Sequence, residues 1–205
     1  MTIEYPVSLA ILDYLPNLAF LVGGFFLVRI AAMAKGKKCS RMVMAGALLI
    51  TLGGLLKATW KLLYASGVGD FQTMSQVQFI LLAPGFLALA VAVILIARKR
   101  AKASEIPVAA MAAWKMPFLL VMTVCSLGAH GILTYISLKR GAKLAAVGFI
   151  FAFLGVLMMG GLASTEQTLT MQWIEESINS IGQLGFMAGS ILLFKNYKTL
   201  GCEKA

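Results

Sequence analysis

Six runs of almost unbroken apolar sequence, near residues 16–34, 42–65, 77–97, 117–138, 144–163 and 177–194, constrain this chain more than any motif does. Each approaches the roughly 20 residues a helix needs to cross a bilayer. Lipid offers the backbone no hydrogen bonds, so runs of this kind fold as helices that satisfy themselves. Only 13% of the 205 residues are charged and 60% are hydrophobic, more apolar sequence than a soluble core of this size can hide. The expected fold is an all-α integral membrane protein with six full transmembrane helices. Its expected location is a prokaryotic plasma (inner) membrane. The first basic residue is Arg29 and Glu4 precedes the first apolar run, so the basic start of a secretory signal is missing and the N-terminus is expected to stay on.

A second feature organises these runs. Tyr5-Pro6-Val7 through Leu15-Pro16 returns about one hundred residues later as Ile106-Pro107-Val108 through Met116-Pro117. Gln72, Gln76, Gly85, Phe86 and Ala88 return as Gln172, Glu176, Gly185, Phe186 and Ala188. Gly53-Gly54-Leu55 recurs at a different offset as Gly160-Gly161-Leu162. The reading is two tandem repeats, 1–103 and 104–205, forming one membrane domain. Each opens with a short Pro-bounded helix, 6–15 or 107–116, that lies at the interface or extends the next helix through a kink. In its architecture alone this layout resembles sugar transporters of the three-plus-one-plus-three type, whose proline–glutamine pair the chain lacks.

The net charge of +10 collects in the connections, at Lys35 to Arg41, Arg98 to Lys102, Lys139 to Lys143 and Lys195 to Lys204. Clusters so placed set orientation and touch anionic lipid, and no nucleic acid is expected. They also pose the main topological question. Inverted halves would put ten of the eighteen Lys and Arg on the cytoplasmic side, whereas parallel halves would put fifteen there and leave out only Lys57, Lys61 and Lys115. Charge favours parallel halves, while the short segments disfavour the extra crossings that parallel halves require.

Candidate functional groups lie inside the apolar runs. Gln172, Glu176, Asn179 and Gln183 follow i, i+4, i+7, i+11 and share one helical face. Gln72 and Gln76 are their counterparts in the first half. Such a stripe either binds helices together or lines a polar path. Glu175 and Glu176 are the acidic residues within this region, and a carboxylate there is what a proton-coupled carrier needs. Lys57, Lys61 and Tyr64 share a face by the same spacing. Lys57 either snorkels to the interface or pairs with Glu176, which parallel halves would permit. His130, between Gly128 and Gly131, is a packing residue or a proton relay. Glycine pairs at 23–24, 53–54 and 160–161 are expected to allow close helix packing, and Pro84-Gly85 to break its helix.

Three cysteines far apart in sequence and one histidine indicate no disulfide framework, metal or cofactor. Hydrolase, kinase and metalloprotease motifs are absent, so no enzymatic activity is expected. The leading expectation is a small transporter or channel for a small polar solute or ion, with a path between the repeats. The alternative is a non-catalytic membrane subunit, sensor or assembly protein, with a homo-oligomer or partner subunit possible in either case. A lipid-handling role is a third class, resting only on the basic rims and apolar grooves.

Overall fold

A computed structural model of the protein describes residues 6–97, 116–162 and 168–202. Among these the chain is entirely helical, in the order α1 (Val7–Leu12), α2 (Tyr14–Lys35), α3 (Lys37–Ala65), α4 (Gln72–Ala97), α5 (Met116–Lys139), α6 (Lys143–Leu162) and α7 (Leu169–Cys202). Six spans are long and apolar enough to cross a membrane, with α1 and α2 together forming the first, Val7–Lys35.

Local chemistry explains where these helices bend and end. Pro16 has no N–H to offer the Leu12 carbonyl, and the helix yields one residue later, at Asp13. The Asn17 side chain donates to the Asp13 carbonyl at 2.7 Å and repairs part of the break. Asp13 alone thus separates α1 from α2. The second short segment, 107–116, lies outside the described residues except for Met116. At the far end, Gly36 (φ 80°) alone separates α2 from α3, and Gly141 (φ 75°) stands in the turn from α5 to α6. Both need the left-handed region that glycine enters freely, and each gives a tight antiparallel helical hairpin.

Helix pairs cross at glycines. A Cβ added at Gly46 would sit 2.8 Å from the Gly85 carbonyl oxygen, and one at Gly148 would sit 2.6 Å from the Gly185 carbonyl oxygen. The α3/α4 and α6/α7 pairs therefore touch backbone to backbone, the contact that drives association where lipid removes the hydrophobic incentive. Gly53 meets the Gln78 carbonyl on α4, and the glycine making the matching contact on α6 is Gly155, against Gly182 and the Ile178 carbonyl. Gly160 and Gly161 have nothing within 4 Å of an added Cβ among the described residues, so the packing role expected of that pair falls to Gly155. Pro84 does not break its helix either. α4 runs through it, because losing one backbone bond costs little when Gly85 beside it packs directly on Gly46 and Ile50.

The centre is aromatic. Phe186 of α7 stacks on Phe20 of α2 at 5.1 Å between ring centroids, with Phe149 of α6 at 6.1 Å and Phe86 of α4 lying 6.4 Å from Phe20. Large apolar side chains such as Leu120, Val124 and Leu144 point outward, as lipid-facing positions do.

Contacts across the bundle decide the topology. Arg29 of α2 lies over the Phe194 ring at 5.1 Å, and Arg140, just past α5, donates to Asn196 of α7. The C-terminal ends of α2, α5 and α7 thus gather at one end. Asp13, Lys61 and Glu176 meet at the other. Each three-helix set, α2 to α4 and α5 to α7, runs in the same sense, so the halves are parallel and Ala97 and Met116 lie at opposite ends. Among the described residues, one end carries Arg29, Lys35, Lys37, Lys38, Arg41, Lys139, Arg140, Lys143, Lys195 and Lys198 and no carboxylate. The opposite end carries Asp13, Asp70, Glu175 and Glu176 together with Lys57 and Lys61.

Candidate functional site

Three ionisable side chains from three helices are buried together at the acidic end, and a fourth reaches them from the rim. Lys61, in the last turns of α3, is 2% exposed and sits between Glu176 of α7 and Asp13 of the α1–α2 break. Its Nζ lies 2.5 Å from Glu176 Oε1 and 3.1 Å from Asp13 Oδ2. Lys57, one turn earlier and a third exposed, approaches the same Glu176 oxygen at 3.7 Å. Lys61 thus joins the Asp13 and Glu176 carboxylates through a single ammonium.

This geometry follows from local structure. Asp13 caps no N–H of α2 with its side chain, which leaves the carboxylate free to turn inward. Tyr14 beside it contacts the Thr59 hydroxyl at 3.0 Å and pins the break against α3. Taking two carboxylates and two ammonium groups out of water is costly, and membrane proteins keep such groups chiefly where they act.

Of the two fates open to Lys57, snorkelling or pairing with Glu176, the pair is present at its long limit, while Lys61 makes the close one. The larger addition is Asp13, which periodicity and charge clustering do not single out. Its signal was visible in the sequence, a single carboxylate inside the apolar stretch Leu9 to Leu15, three residues before a proline.

The other candidates separate into two groups. Glu176 and Gln172 are buried, and Asn179 and Gln183 are partly buried, so the polar face of α7 turns into the protein. Glu175 points away from that face and is partly exposed. Gln72 is exposed and donates to Asp70 at 3.2 Å in the α3–α4 connection, which removes it from the cluster, and Gln76 is partly exposed on the following turn. His130 is 3% exposed, donates from Nδ1 to the Ser126 carbonyl at 2.8 Å and sets its ring edge-on to Phe186 at 5.6 Å, as a packing histidine does.

One pattern appears only when burial and bonding are read together. Among the described residues, no hydrogen-bond partner reaches Glu176 Oε2, Ser180 Oγ, Gln183 Oε1 or Ser190 Oγ, all of them buried. Their spacing of i, i+4, i+7, i+14 puts them on one face of α7, over about 21 Å of axis. Each orphaned buried polar atom costs about 1–3 kcal/mol, so a row of four is an expensive arrangement for static packing. At the depth between Gln183 and Ser190, the Phe20–Phe186 stack fills the middle of the bundle.

The chain matches no family model, and no curated protein or solved structure resembles it closely enough to count as a relative.

Proposed function

We propose that the protein is a small polytopic membrane transporter for a small polar solute or ion, built from two tandem repeats and without enzymatic activity. The path runs between the halves along the inward face of α7, from the Asp13–Lys61–Glu176 cluster toward the basic end. The observation that carries this reading is the row of partnerless polar atoms on that face, which water or a solute would satisfy. The Phe20–Phe186 stack then closes the path in this conformation, as an alternating carrier requires at some stage of its cycle. By the positive-inside rule the basic end faces the cytoplasm, in a prokaryotic inner membrane.

The test is flux in proteoliposomes. Ser180→Ala and Gln183→Leu remove polarity without adding bulk, so each is expected to lower solute or ion flux at least tenfold while the protein still folds. Unchanged flux in both would remove the path. The rival is an assembly subunit or sensor, favoured by the aromatic packing of the centre. It predicts no flux from the unmodified chain and weaker association with a partner subunit or second copy in Glu176→Gln.

Anionic lipid is the expected partner at the basic end. Arg29 and Lys198 line a cleft of about 520 Å³ with Ala32, Met33 and Phe194, combining two cations with an apolar wall. Replacing both cations by glutamine should abolish the preference of the purified protein for anionic over zwitterionic lipid, read by native mass spectrometry. Equal retention of both lipids by the unmodified protein would sink this assignment.

A further inference from the structure

Within the acidic-end cluster Lys57 keeps a third of its side chain exposed, while Asp13, Lys61 and Glu176 are each 2% exposed. It sits eight residues before the end of α3, about 12 Å in along the helix. That exposure does not come from facing lipid. Gly53 packs on the Gln78 carbonyl of α4 and Gly54 on the Asn17 side chain of α2, and Lys57 falls between these contacts, about 40° round from the first and 60° from the second. Its side chain therefore points into the bundle. The ammonium ends 3.7 Å from Glu176 Oε1 of α7, a helix separated from α3 by α2, which packs on both. The pair thus spans the interior, and the bundle is open beside it.

Two unmet demands face that opening. Lys57 shares Glu176 Oε1 with Lys61, which holds the closer place at 2.5 Å. Glu176 Oε2 is buried and no hydrogen-bond partner reaches it among the described residues. The ammonium needs an anion of its own, and the oxygen needs a donor. Parting a pair this long, with one member a third exposed, costs about 1 kcal/mol or less.

We propose that this opening binds a small zwitterion with a primary ammonium and a carboxylate, its carboxylate on Lys57 Nζ and its ammonium on Glu176 Oε2. That the bound zwitterion is also the solute carried rests on the transport reading; the binding does not. Charge selects the class. Asp13, Glu176, Lys57 and Lys61 sum to zero, so a solute of no net charge leaves the cluster neutral. A lone cation would meet two ammonium groups, and a lone anion two carboxylates. An uncharged polyol would satisfy Glu176 Oε2 but give Lys57 no anion. A quaternary ammonium has no N–H to donate to that oxygen. Further along the same face Ser180 Oγ and Gln183 Oε1, one and two turns on, offer the ammonium its next acceptors.

Saturation-transfer NMR on the purified protein in lipid nanodiscs reads this binding without any transport assay, with empty nanodiscs as the blank. Glycine, alanine and β-alanine are the probes, and acetate, methylamine and glycine betaine the controls. Saturation should reach at least one probe and none of the controls. Lys57→Met removes one charge-assisted contact and should weaken that binding about tenfold or more, whereas Lys57→Arg should retain it. The Met variant remains testable because the residue it replaces adds little to stability. Binding of no probe, binding of a singly charged control as strong as that of the probes, or unweakened binding in Lys57→Met overturns the proposal. Proteoliposome flux separates it from the transport reading. A zwitterion that binds and is never carried would sink transport and leave the site in place. Flux of another solute that none of the three probes inhibits would sink the zwitterion and leave transport standing.

Discussion

Lys61→Met is expected to destabilise the folded bundle by about 3–5 kcal/mol, the cost of stripping a buried pair of its counter-charge. The reason is specific to this residue. Among the described residues, Lys61 is the one ammonium within 3.1 Å of both carboxylates, and its loss leaves Asp13 and Glu176 buried without it. Lys57 is a third exposed and reaches only to 3.7 Å, so Lys57→Met should cost about 1 kcal/mol or less. Unfolding in mild detergent, followed by steric trapping or thermal denaturation, separates the two. Neutralising Asp13, Lys61 and Glu176 together, as Asn, Met and Gln, should recover most of the loss, since an apolar replacement of a whole buried network is often tolerated. Equal stability of Lys61→Met and Lys57→Met would show that the cluster is not the buried network described.

The second large effect is expected at a position with no polar chemistry. In Gly148→Val the new Cβ would fall 2.6 Å from the Gly185 carbonyl oxygen, 2.8 Å from the Gly189 nitrogen and 3.0 Å from its Cα. All three are backbone atoms, so no side chain can swing aside. α6 and α7 must separate, at a cost of about 3 kcal/mol by the usual scale of overpacking. The same separation moves the polar row of α7, so transport should fall along with stability. Gly128→Val is the matched control, with nothing within 4 Å of its added Cβ, and should change stability by no more than about 0.5 kcal/mol. Comparable losses at both positions would mean that helix propensity, not backbone contact, sets the effect.

Particular residues show where sequence reasoning reaches and where it stops. The inward polar face of α7 was legible because 3.6-residue periodicity places Gln172, Glu176, Asn179 and Gln183 together whatever the helix packs against. The same periodicity paired Lys57 with Lys61 but could not say which one would be buried. That depends on where α3 ends, and it ends four residues after Lys61. Asp13 was missed because distance along the chain from a terminus says nothing about depth once Pro16 turns the helix inward. Gly53 and Gly160 matched as letters, yet the packed equivalent is Gly155, since contact follows the crossing point of two helices and not the spelling of a dipeptide.

Composition and apolar run length were enough to establish a helical membrane protein with six spans, because lipid permits almost no other fate for such runs. The direction of one half relative to the other lay beyond them. Loop charges constrain orientation only in sum, whereas a single contact such as Lys61 to Glu176 requires two helix ends to share a depth. Only the folded chain supplies that contact. With it comes the burial of Asp13 beside Lys61.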